Sequence, residues 1–245
     1  MKFRWRESFG VALAWRYAAH AAMVALALWN ERRAAPPLPD LVLSWVPHVD
    51  WVERHNYQLW LAAYVPVGIA LLVRDRAAGI RMLWIGGWLS LLRGLTIPLT
   101  GLGPIHGPDA NAGASFETLR RAWLAIVNPV SALTTDAAQV GLTKDYFFSG
   151  HVASTFLLWL YCRGRGVLAP IALASHLFVT ATVFLAHIHY TIDVVGAWAA
   201  TLAVYVVAER GVPISGSTPA PSPPDPSRRP ADRPSAPAPR RAPGA

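Results

Sequence analysis

VLAPIALASHLFVTATVFLAHIHYTIDVVGAWAATLAVYVVA, residues 167–208, holds two apolar runs in close succession. They cover 167–187 and 191–208, and their junction carries His187, His189 and Asp193. A helix crossing a bilayer core needs about 20 apolar residues, with a range of roughly 17 to 25. Both runs fit, so the stretch reads as two membrane helices joined by a tight turn. The polar residues of that turn then stand at one membrane face.

Four more runs precede these two, at 9–29, 57–73, 80–101 and 149–163. The last of them is short, and the run at 80–101 contains Arg93. The fold class expected is all-α: a polytopic membrane protein built as a six-transmembrane helix bundle. Composition agrees. Only 15% of residues are charged, where a soluble domain carries about a quarter. The net charge of +8 suits anionic lipid or phosphate. Nucleic acid is not an expected partner, because the basic residues fall in short clusters between apolar runs. A single cysteine, Cys162, excludes an intrachain disulfide framework and a cysteine metal site. The basic N-terminus leads into a run too long for a cleaved signal peptide, so 9–29 reads as a retained first span.

Orientation follows from the Lys/Arg bias of short loops. Lys2, Arg4 and Arg6, then Arg74, Arg76 and Arg81, then Arg163 and Arg165 occupy alternate loops. All belong on the cytoplasmic side, and six crossings return the C-terminus there as well. The expected organisation is a cytoplasmic N-terminal segment 1–8, a six-span membrane catalytic domain 9–210 and a disordered, Pro/Arg/Ala-rich cytoplasmic tail 211–245. Residues 116–127, inside the long connection 103–148, read as an amphipathic piece lying on the outer surface. The Ala, Arg and Pro bias points to a bacterial plasma membrane.

On that topology His151, in DYFFSGHVAS (145–154), and His189, in HIHYTIDVVG (187–196), stand at the non-cytoplasmic mouths of two helices separated by one hairpin. Asp193 follows His189 by four residues and shares its helix face. A carboxylate there fixes the imidazole tautomer and stabilises positive charge on the ring. That suits a histidine nucleophile attacking phosphorus, with His151 as the complementary acid and base. Ser149 can cap the helix, and Gly150 lets phosphate oxygens approach its N–H groups. Arg93 in the outer half of the third span can clamp a phosphate, with Lys144 as a mobile charge at the loop edge. Tyr190 joins them as a candidate substrate-binding residue. Two bland readings compete: interfacial histidines in a non-catalytic lipid scaffold or transporter, and a metal site at His187, His189 and Asp193. No metal or cofactor is expected.

KDYFFSGHVAS (144–154) and AHIHYTIDVVGAW (186–198) resemble the two signature segments of the sphingomyelin synthase-like family, within the type 2 phosphatidic-acid phosphatase superfamily. RGLTIPLTGL (93–102) resembles a third segment. The resemblance implies a triad of His151, His189 and Asp193, a phosphohistidine route at the non-cytoplasmic face, and transfer of a phospholipid headgroup phosphate to a lipid hydroxyl such as ceramide's. Asp145 matches the aspartate of the first segment. Two departures stand out. Val183 occupies the place, six before His189, where the superfamily's phosphatases have arginine, which favours the synthase branch. Gly103 intervenes between Leu102 and Pro104. With water as acceptor, the same site would be a lipid phosphatase or phospholipase C.

Overall fold

A computed structural model of the chain describes residues 8–128 and 142–210. Among these residues there are eight helices and no strand: α1 (Phe9–Glu31), α2 (Leu41–Trp45), α3 (Asp50–Arg74), α4 (Arg76–Thr100), α5 (Phe116–Val127), α6 (Gly150–Cys162), α7 (Leu168–Leu185) and α8 (Thr191–Glu209). The all-α class holds. The expected tail 211–245, nearly all of the N-terminal segment and residues 129–141 of the outer connection lie outside the described residues.

Five helices, α1, α3, α4, α7 and α8, are long and apolar enough to cross a membrane. The remaining expected span is α6, and here the structure departs from the sequence reading. Its 13 residues make about 20 Å of helix, short of a hydrocarbon core of about 30 Å. The reason is its surroundings. Val152, Thr155, Leu158 and Cys162 are fully buried, so α6 is walled by protein and need not match a lipid thickness. Gly164 and Gly166, both at positive φ, turn the chain sharply into α7. Tyr161 extends the reach of α6, donating its hydroxyl to Glu209 at the end of α8.

The bundle has two chemically distinct ends. At one, Arg165 pairs with Asp75 at 2.6 Å and Arg81 with Glu209 at 3.2 Å. At the other, the Ser149 N–H donates to the Asp193 carbonyl at 3.1 Å. The starts of α6 and α8 therefore meet at the end opposite the basic turns.

Between these ends, Leu71, Leu89, Leu158, Val179 and Val194 form the main core from α3, α4, α6, α7 and α8. α1 packs along α4, and small residues permit the approach. A Cβ on Gly94 would meet the Met23 Cα at 3.0 Å. α4 starts where Asp75 accepts from the Ala78 N–H at 2.9 Å and stops at Gly101, whose φ of +65° few other residues adopt.

Residues 116–127 are helical as expected, but they do not lie flat on the outer end. Trp123 Nε1 donates to the Ala21 carbonyl at 2.9 Å, and the Tyr17 hydroxyl donates to the Val127 carbonyl at 2.7 Å. As α5 advances from 123 to 127, its partner recedes from 21 to 17. The helix therefore runs antiparallel to α1 and dips alongside it. Its apolar face (Leu119, Ile126 and Val127) packs with Val24 and Leu28, so it found a helix partner in place of the headgroup layer.

Candidate active site

The His151 and His189 ring centroids lie 6.4 Å apart, with planes inclined by 60°. Each ring sits at the start of its helix: His151 in the first turn of α6, His189 two residues before α8. Rings this close can reach one phosphoryl group from two sides. The two rings thus flank one small volume, as the topology predicts.

Asp193 joins the two halves. Its carboxylate is fully buried and serves three donors. Oδ1 accepts from the Phe147 N–H at 2.9 Å. Oδ2 accepts from the Tyr190 N–H at 2.9 Å and faces His189 Nδ1 at 3.3 Å. With Nδ1 carrying the proton toward Asp193, the Nε2 lone pair points away. The same side chain therefore sets the tautomer of His189, caps α8 and pins the loop that delivers His151. Phe147 is held at a φ of +57°. Its ring lies where a Cβ on Gly196 would come within 2.8 Å of it, so the glycine makes room for the loop.

Arg93 is where expected in depth but is heavily engaged by protein. Its Nε donates to the Phe148 carbonyl at 2.5 Å, Nη2 to the Asp145 carbonyl at 2.6 Å and to Asp145 Oδ2 at 2.7 Å, and Nη1 contacts Met23 Sδ at 3.1 Å. Of five donor hydrogens, one on Nη1 is left. The guanidinium straps residues 145–148 to α4, with Thr96 Oγ1 adding a bond to the Phe147 carbonyl at 2.8 Å. Asp145 is thus the partner of Arg93. Lys144 is not a mobile charge: it is buried, and its Nζ donates to Asp109 and to the Arg33 carbonyl. The Tyr190 hydroxyl donates to the Gly103 carbonyl at 3.0 Å and accepts from the Leu38 N–H at 3.0 Å. Ser149 caps α6 through the Val152 N–H, and Gly150 lies against Arg93.

Several neighbours carried no sequence signal. Trp60 presents its edge to His151 at 5.5 Å and donates to Ser154 Oγ at 2.9 Å. Tyr146 stands edge-on to His189 at 6.0 Å, and burial pushes its phenol well above the ordinary range. Asp40 accepts from Thr191 N–H and Oγ1 at 2.6 and 2.8 Å. Burial raises its carboxyl, but these donors with Leu43 and Val42 outweigh that and hold it low. Asp40 thereby ties the first outer loop to the start of α8. His187 turns away from any metal arrangement with His189 and Asp193: its Nε2 donates to the Val46 carbonyl and its Nδ1 meets His106 Nε2, both at 2.9 Å. A cavity of about 200 Å³ opens on His151, Arg93 and Asp145. His189, 3% exposed, is not among the residues that line it.

Residues 144–210 match the family described as PAP2 superfamily C-terminal. The span covers both signature segments. Among curated proteins, the chain is 29% identical over 176 residues to the mouse sphingomyelin synthase-related protein 1, covering 67% of this chain and 36% of that one. It is 28% identical over 198 residues to the Caenorhabditis elegans phosphatidylcholine:ceramide cholinephosphotransferase 1, covering 72% and 41%. The chain therefore spans about two fifths of the length of these relatives. It is similar to sphingomyelin synthase-like proteins of the PAP2 superfamily, at low identity.

Proposed function

We propose that this protein is a membrane phosphotransferase that moves a phospholipid headgroup phosphate to a lipid hydroxyl through a phosphohistidine. One observation carries the reading: two imidazoles stand with ring centroids 6.4 Å apart, and one is backed by a buried carboxylate. In the first half-reaction His189 Nε2 forms a bond to phosphorus, and the bond from phosphorus to the diacylglycerol oxygen breaks. His151 gives its proton to that oxygen. In the second, the acceptor hydroxyl loses its proton to His151 as its oxygen bonds phosphorus, and the P–N bond breaks. Both histidines are restored. Arg93 and Asp145 position the loop that carries His151, and Ser149 and Gly150 start its helix at the reaction centre. The burial of His189 favours a lipid acceptor over water, because a nucleophile shielded from bulk solvent meets few water molecules.

The site stands at the end of the bundle opposite Arg81 and Arg165, so the positive-inside rule puts it on the non-cytoplasmic face. The six-crossing plan takes α6 as its remaining crossing, a reading supported by its ends meeting those of α8. The deciding measurement is thin-layer analysis of products from labelled phospholipids, with and without ceramide or diacylglycerol as acceptor. A product that requires the acceptor supports transfer. Release of free phosphate or phosphorylated headgroup irrespective of acceptor would establish hydrolysis. Full activity of His189→Ala in properly inserted protein would refute both.

A further inference from the structure

The cavity that opens on His151 does not end at the phosphoryl site. It continues to Arg16, Gly86 and Leu157 inside the bundle. Along α4, Gly86 lies about 10 Å below Arg93 at 1.5 Å per residue. That is room for a headgroup beyond its phosphate.

The charges on its wall are unbalanced. Among the described residues, Arg16, Arg54 and Arg93 line it against one carboxylate, Asp145, which is already paired with Arg93 at 2.7 Å. Arg16 sits well inside a membrane-length helix and donates to Ser90 Oγ at 2.8 Å. Among the described residues, no carboxylate pairs with it. Gly86 makes room for this guanidinium, since a Cβ there would meet Arg16 Nε at 3.1 Å. A guanidinium kept inside a bundle without a carboxylate partner marks a place where a ligand supplies acceptor oxygens.

The reaction shows which part of the substrate that is. The headgroup stays bonded to phosphorus through both half-reactions, while diacylglycerol leaves and the acceptor enters. Only the headgroup needs an enclosed compartment beside His151. Acyl chains are poor occupants, because they would leave Arg16 facing hydrocarbon. An ammonium headgroup would meet a like charge, and the one carboxylate among the described lining residues, Asp145, is already paired. Hydroxyl and acid oxygens match the guanidinium donors, and polyol carbons can pack on the rings of Trp60 and Tyr64, which also line the cavity.

We infer that the inner cavity is a headgroup pocket selecting an anionic phospholipid donor, one whose headgroup carries hydroxyl or acid oxygens in place of an ammonium, with Arg16 as the specificity-determining residue. The inference rests on the phosphotransfer reading, and its test separates the two. Labelled phosphatidylinositol, phosphatidylglycerol, phosphatidylcholine and phosphatidylethanolamine are offered to the full chain in nanodiscs at equal mole fraction. At least one anionic donor should react faster than both zwitterionic donors by about tenfold or more, the scale of one charge-assisted hydrogen bond. Phosphatidylinositol against phosphatidylglycerol tells a polyol ring from a short triol. Arg16→Gln should reduce the preference to within about threefold, mostly by slowing the anionic donor, while Arg16→Lys should keep most of it. Retention of the same lipids by non-reacting His189→Ala, read by native mass spectrometry, should show the same order. Equal or faster turnover of phosphatidylcholine by the wild type overturns the pocket and leaves phosphotransfer standing, as does an Arg16→Gln variant with an unchanged preference. Anionic lipid retained in the cavity with no donor turned over would support the pocket and remove phosphotransfer.

Discussion

Replacing Asp193 with Asn removes one acceptor and one charge at the point where both halves of the site meet. The wild-type carboxylate serves the Phe147 N–H, the Tyr190 N–H and His189 Nδ1. An amide has one acceptor oxygen and one donor nitrogen, so at least one of these groups loses its acceptor whichever way the side chain turns. With nitrogen at the Oδ1 position, the Phe147 N–H is stranded. With nitrogen at Oδ2, the Tyr190 N–H is stranded and His189 is driven to the tautomer with its proton on Nε2, where the nucleophilic lone pair should be. A stranded buried donor costs about 1–3 kcal/mol. The lost support for a positively charged ring should slow phosphoryl transfer by about 10²- to 10⁴-fold, or roughly 3–5 kcal/mol of barrier. Initial transfer rates in nanodiscs, set beside thermal unfolding of the same preparations, check this. A folded Asp193→Asn protein working within a few-fold of wild type would refute the role of the carboxylate.

Gly196→Ala places a Cβ at 2.8 Å from the Phe147 ring; the ring can swing, so the protein should insert and fold but transfer should fall by about tenfold as the loop shifts, read as lower kcat with little change in unfolding temperature. Gly103→Ala should be far worse, because its Cβ would meet the Ala35 carbonyl oxygen at 2.1 Å and backbone cannot step aside; a loss of roughly 1–3 kcal/mol or more should appear as poor recovery of folded protein. Acidification should destabilise the outer loops through His106. Burial first, then His187 and His48, lower its pKa below the ordinary 6.5 against an opposing pull from Glu53, so the unfolded chain takes up the proton at higher pH than the fold does. Stability is then complete above about pH 7 and declines toward pH 5, and His106→Gln should flatten that slope in pH-dependent thermal unfolding.

The meeting of His151, His189 and Asp193 was legible because chemistry and topology constrain them together. Two histidines at like ends of alternate apolar runs, with a carboxylate four residues past one of them, leave few other arrangements. The helical character of 116–127 was equally plain from its periodicity. Its placement was not, since an amphipathic face is compatible with a headgroup layer or with a groove on α1, and only packing decides. Polar residues near the site were misjudged for a related reason. Lys144 and Arg93 are cations at the correct depth, and sequence cannot tell a cation offered to substrate from one bonded to backbone carbonyls. Arg16 was passed over because it lies deep in the first span, far in sequence from either signature. Its relation to the site exists only once α1 lies along α4.

Asp193 explains why the two signature segments occur as a pair. Separate devices could orient His189 and hold the loop before His151, but here one carboxylate does both, with Oδ2 toward the nucleophile and Oδ1 toward the loop. Any movement that draws the loop from α8 therefore also loosens the imidazole, so the two histidines are displaced together. The backbone bond from Ser149 to the Asp193 carbonyl reinforces this coupling, and the Arg93 strap prevents relaxation on the far side of the loop. A phosphoryl group has to be attacked from one side and relieved of its leaving oxygen on the other, and relative error between the two groups is what such a step tolerates least. Tying both to one buried side chain suppresses that relative error even as the surrounding helices move, which is what the proposed transfer requires.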